Sequence, residues 1–178
     1  MSNFLNHLKV IHNHRKLVRK GCFKVGLYFQ GLTHDLSKYS PAEFWVGVKY
    51  FQGDRSPNNA EREDIGYSSS WIHHKGRNKH HFEYWIDYSA ISGSALMVPV
   101  PMPDKYIVEM AMDRIAASKI YKGNEYNDSC PLEYLNKGKS EKTIHPDTLE
   151  KLEKMLTILA NEGEEQFFKY VKEDFLNK

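Results

Sequence analysis

The sequence predicts an all-α single domain, a helical bundle. Apolar residues recur at helical spacing in several long stretches, and no alternating strand signal runs beyond a few residues. The 178 residues suffice for one sizeable core and are too few for two ordinary domains. Hydrophobic residues make up 40% and charged residues 27%, which excludes disordered, collagen-like and disulfide-scaffold chains.

The stripe Phe4, His7, Ile11, His14, Val18 predicts a helix over 3–20, interrupted by Gly21. A second helical stretch covers about 22–38. Ser40-Pro41-Ala42-Glu43 reads as a capping box that opens a helix to about Gln52, ended by Gly53-Asp54. After the loop Ser56-Pro57-Asn58-Asn59 a helix is expected over 59–75, and Asn78 caps another through about 88. Residues 89–102, punctuated by Ser, Gly and Pro, form the longest irregular link. A helix follows from about 103 to 121, then a polar stretch over 122–145 with Gly123, Pro131, Gly138 and one short helix. His145-Pro146-Asp147 opens a helix to about Asn161, Gly163 breaks it, and a last helix reaches the C-terminus. Trp45, Trp71 and Trp85 suggest a continuous core through the middle of the chain.

The longest apolar run, Ala95-Leu96-Met97-Val98-Pro99-Val100-Pro101, is short and broken by prolines, so no membrane span is expected. The first dozen residues include His7, Lys9 and His12 and hold no continuous apolar core, so no secretory signal is expected. Cys22 and Cys130 read as buried or half-buried thiols in a reducing cytosol, which makes a cytoplasmic location the expectation. A net charge of +2 gives no broad field for nucleic acid. The run Arg15, Lys16, Arg19, Lys20, Lys24 reads as a solvated helix face.

Chemistry is concentrated in the nine histidines and a few carboxylates. His34 and Asp35 are adjacent; on a helix they sit about 100° apart and turn toward one site, His offering nitrogen and Asp able to bridge two cations. The competing reading is a solvated helix end. His14 lies on the apolar stripe of the first helix, where a satisfied core histidine is the alternative, while His12 falls on its charged side. Asp113 lies within the stripe Tyr106, Met110, Asp113, Ala117, Ile120, and a carboxylate on an apolar face needs a cation or donors. Glu109, one turn earlier, reads as a surface residue, with a supporting acceptor as the alternative. His73, His74, His80 and His81 put four imidazoles in nine residues. They form either a cationic turn or a neutral, metal-binding cluster.

The order His14, His34-Asp35, the paired histidines and Asp113 resembles the HD superfamily of metal-dependent phosphohydrolases, with its pattern H…HD…H…H…D on an all-helical bundle. Gly31-Leu32-Thr33-His34-Asp35-Leu36-Ser37-Lys38 is similar to the HD segment, with Lys38 where an HDxGK variant has Lys and Ser37 in place of its Gly. Met112-Asp113-Arg114-Ile115-Ala116-Ala117 is similar to the final-Asp helix. The whole also resembles an uncharacterised bacterial and phage group of that superfamily. The resemblance covers roughly 5–122, the HD-like metal-binding core; 123–178, the loop and C-terminal helices, fall outside it.

The resemblance implies His14, His34, Asp35 and Asp113 as ligands together with one or both of His74 and His81, and His80 as a further candidate. Asp35 would bridge two metals, and Lys38 would meet a substrate phosphate; a solvated Lys is its alternative. Arg77 and Lys79 read as solvated loop. The metal would be Mn, Fe, Co, Ni or Zn, one or two ions. The activity implied is hydrolysis of a small, nucleotide-like phosphoester by metal-activated water. A di-iron oxygenase on the same ligands and a non-catalytic adaptor that docks a partner through exposed C-terminal helices are the alternatives.

Overall fold

The computed structural model describes residues 2–91, 93, 95–137 and 143–176. Ser92 and Ser94 of the expected link, Gly138 and the last two residues of the expected C-terminal helix lie outside them. The described chain is mostly helical. Helix α1 (Asn3–Lys24) runs straight through Gly21, contrary to the expected break. A Cβ on Gly21 would lie 2.7 Å from Met112 Sδ, so the missing side chain lets α1 approach α6 (Asp104–Lys122) closely. His7, Ile11, His14 and Val18 of the predicted stripe are buried.

The expected helix over 22–38 is divided. Gly26 takes φ +80°, α2 spans only Tyr28–Thr33, and Asp35 adopts the left-handed conformation (φ 54°, ψ 27°) before a 3-10 turn at Leu36–Tyr39. Helix α3 (Pro41–Lys49) starts where Ser40-Pro41 places it, yet Ser40 makes no side-chain cap and Glu43 turns inward. Gly66 (φ +83°) splits the expected helix over 59–75 into α4 (Pro57–Ile65) and α5 (Ser69–Lys75). Ser68 caps α5 by accepting from Trp71 N.

The helix expected to start at Asn78 does not form. Asn78 Nδ2 instead donates to the carbonyl of His74 and to Ser37 Oγ, both at 2.8 Å. The chain then passes through a 3-10 turn at Phe82–Tyr84 into β1 (Ile86–Tyr88), which pairs antiparallel with β2 (Met97–Pro99) in the register Ile86↔Pro99. Ile86, Tyr88 and Val98 are residue types that favour extended chain. After α6, a 3-10 turn at Gly123–Glu125 and α7 (Cys130–Asn136) lead to α8 (Pro146–Lys169). Gly163 (φ 84°, ψ 177°) leaves helical geometry and divides this span into two helical segments at a kink, as expected, and a π-helical turn follows at Tyr170–Phe175.

Helix α6 packs against α1, α2, α7 and α8. Its Ile107, Val108, Ala111, Met112 and Ile115 meet Val18 and Cys22 of α1, Leu135 of α7 and Leu152, Met155, Leu156 and Leu159 of α8. The C-terminal helices are therefore core elements on one face rather than wholly exposed. The core does not run through the tryptophans: Trp45 is exposed, and Trp71 and Trp85 are half-buried. No helix among the described residues is long and apolar enough to cross a membrane.

Candidate metal centre

Three backbone features converge under one cleft. Helix α1 presents His14 from its buried stripe, and α6 presents Asp113 and Glu109 from the facing surface. Between them, α2 ends at His34, and the left-handed turn at Asp35 aims both side chains inward. They are therefore not neighbours on a helix. That turn is held by Arg15, whose guanidinium donates to the carbonyls of His34 (2.8 Å) and Leu32 (3.1 Å) and to Tyr39 Oη (3.2 Å). Arg15 thus departs from the solvated face expected of the basic run.

Asp35 is fully buried and divides its two oxygens between two donor sets. On one side, His14 Nε2 lies 3.4 Å from Asp35 Oδ2, 2.9 Å from Asp113 Oδ1 and 3.2 Å from His34 Nε2. His34 Nε2 lies 3.4 Å from Asp35 Oδ2 and 3.7 Å from Asp113 Oδ1. On the other side, Asp35 Oδ1 faces His74 Nε2 at 3.3 Å and His80 Nε2 at 3.4 Å, and His81 completes the group. Each set gathers its donor atoms within 4.8 Å of one another.

Two carboxylates outside these sets orient the imidazoles. Glu109 Oε1 accepts from Nδ1 of His34 (2.9 Å) and of His80 (3.1 Å). Glu43 accepts from Nδ1 of His73 (2.6 Å) and of His74 (2.7 Å). At His34, His74 and His80 a carboxylate keeps a proton on Nδ1 and points the Nε2 lone pair at Asp35. Glu109 is buried and not a surface residue, and Glu43 supports histidines rather than closing a capping box. His73 joins this outer layer and His12 stays exposed, as do Arg77 and Lys79.

The donor set fits a divalent cation. Ligands about 2.1 Å from one ion stand roughly 3.0–3.4 Å apart, from octahedral to tetrahedral. The separations that involve His14 or His34 in the first set run from 2.9 to 3.7 Å. The Nε2 atoms of His80 and His81 are buried without a hydrogen-bond partner, a costly arrangement that an ion relieves. Mixed His and carboxylate donors suit first-row transition metals.

Electrostatics keep Asp35, Asp113 and His81 in binding form and favour a proton on His14 and His74. Burial opposes charge on Asp35, but His34, Lys38 and His74 hold its carboxyl well below the usual range. Burial likewise opposes charge on Asp113, and His14 outweighs it. Burial, with His80 and His74 nearby, pushes His81 far down and keeps it neutral. For His74 burial works downward, yet Asp35 and Glu43 raise it to about 9. A proton and a metal ion compete for that Nε2 lone pair. Lys38 Nζ lies 2.8 Å from Asp35 Oδ2, and Asp35 and Asp113 keep it charged against the effect of burial.

The cluster opens into a cleft of about 580 Å³ whose lining includes Lys38, Arg114, Trp71, Phe51, Tyr121 and Tyr134. That volume suits a small organic ligand. No curated protein and no solved structure matches the chain significantly. A family model matches residues 3–158, which take in the cleft walls and most of the core: the chain belongs to the family of unknown function DUF5662.

Proposed function

We propose that this chain is an HD-type helical bundle that hydrolyses a small, nucleotide-like phosphoester with the help of one or two divalent metal ions. The observation that carries the reading is Asp35, which offers one oxygen to each of two histidine-rich donor sets. His14, His34, Asp35 and Asp113 would hold one ion, and Asp35, His74, His80 and His81 a second. A divalent ion bound there supplies Lewis acidity toward phosphoryl oxygen and a water of lowered pKa.

The chain's own residues supply the rest. Lys38 lines the cleft with its ammonium beside Asp35 and offsets phosphate charge. Glu43 and Glu109 hold protons on Nδ1 of His34, His74 and His80, which keeps these donor atoms in one orientation. Phe51, Trp71 and Tyr121 line the cleft above and limit water around the ester.

A panel of phosphomonoesters and phosphodiesters, assayed with Mn, Fe, Co, Ni and Zn, tests the reading. Wild type should turn over at least one ester, and Asp35→Ala should reduce that rate to background. Undiminished turnover by Asp35→Ala, or none by wild type under every metal, would sink the proposal.

A further inference from the structure

Arg114 follows Asp113 on α6 and lines the same cleft. It is half-buried, and its Nε is fully buried without a hydrogen-bond partner. Its contacts are weak: the Met110 thioether 4.0 Å away and the Tyr134 ring, whose centroid lies 5.8 Å from the guanidinium carbon. Among the described residues it forms no ion pair. Two other cationic side chains of the cleft contrast with it: Arg55 sits bidentate on Glu63, with both contacts at 2.7 Å, and Lys38 pairs with Asp35. A buried guanidinium N–H ordinarily finds a carboxylate or carbonyl, because leaving it unpaired is costly.

We propose that Arg114 is the specificity residue of the cleft and binds a second oxyanion of the ligand, a phosphate or a carboxylate carried on the part that leaves. The inference rests on the phosphohydrolase reading for the position of the first phosphoryl group, at the His/Asp cluster beside Lys38. The planar fork of Arg114 then grips the second anion in two parallel hydrogen bonds. The preferred substrate class is a phosphoester with two separated anionic groups, such as a nucleoside bisphosphate or a phosphorylated hydroxy acid.

Binding of stable phosphonates to the Mn²⁺-loaded protein, measured by calorimetry, tests this without turnover. Propylphosphonate carries one anionic group, and 3-phosphonopropionate adds a carboxylate at matched length. Ethylphosphonate and ethane-1,2-bisphosphonate form the corresponding pair for phosphate. Wild type should bind at least one two-anion probe about tenfold or more tightly than its one-anion mate, as a charge-assisted pair implies. Whichever pair shows the advantage identifies the second anion. In Arg114→Gln that advantage should fall below about threefold, and Arg114→Lys, which keeps the charge but not the fork, should retain part of it. Equal affinities within both pairs in wild type, an undiminished advantage in Arg114→Gln, or no phosphonate binding would overturn the assignment. Should Arg114→Gln fail to fold, Arg114→Lys decides alone, and full retention of the advantage counts against the bidentate grip. Failure of the two readings is distinguishable. Phosphonate discrimination through Arg114 without hydrolysis of any ester would retire the phosphohydrolase, whereas hydrolysis without discrimination would retire only this subsite.

Discussion

Asp35 is the only non-glycine residue with positive φ among those described, and it is also the residue shared by both donor sets. A left-handed residue with a Cβ costs roughly 1–2 kcal/mol, and such strain persists where the surroundings over-determine it. Asp35→Gly and Asp35→Ala both remove the ligand, but only glycine relieves the backbone. Chemical denaturation in chelator should find Asp35→Gly the more stable of the two by about 1 kcal/mol; equal stability would deny the left-handed turn. His7 offers a second test. It packs against Phe44 and Phe51, and a Cβ on Gly47 would overlap its ring. Burial, helped by Lys38, lowers its pKa from 6.5 to about 4. Between those values the unfolded chain takes up a proton that the folded chain refuses, so stability falls as pH falls through the window. Denaturation curves at pH 7 and pH 4 should show wild type losing up to roughly 3 kcal/mol that His7→Gln does not lose. Identical pH profiles would mean that His7 is solvated.

At the scale of elements, the spacing of α1 and α6 sets the distance from His14 to Asp113. Gly21 lies at their contact, against Met112. A branched side chain there must push the helices apart, so Gly21→Val should destabilise the fold by about 1–3 kcal/mol and weaken metal retention together. A stable variant with full metal content would separate the two helices' packing from the site. The same elements show what a sequence discloses. His14 and Asp113 stand out because each interrupts an apolar stripe with a group that needs a partner. Gly21 misleads, because glycine signals a helix break and a close helix approach equally. Glu43 reads locally as part of a capping box and Glu109 as a surface residue or supporting acceptor, since their histidine partners lie far off in sequence, up to 75 residues away. Arg15 reads as one more charge in a basic run, since its acceptors are backbone carbonyls about 20 residues downstream. The helix expected over 78–88 fails for a related reason: Asn78 is recruited across the fold to hold His74 and Ser37.

Over the whole molecule, the histidine cluster lies between the α1–α6 contact and the α3–α5 layer, so an ion held by both sides ties the two together. Anything that binds the folded chain alone adds stability in proportion to its affinity; at one hundred times Kd it adds about 2.7 kcal/mol. For a chain of this size, chelation should lower Tm by roughly 5–10 °C, reversed by adding the metal back, as read by scanning calorimetry. The all-helical character was legible from apolar periodicity, because helices record their buried face locally. The β1–β2 hairpin was not, because three-residue strands leave too short a pattern.

The most direct test is elemental analysis of protein purified without added metal, beside Asp35→Ala prepared identically. The account predicts one or two transition-metal ions per chain that survive gel filtration in wild type, and their loss in Asp35→Ala. A folded wild-type chain that carries none, and takes up none when supplied, would contradict it.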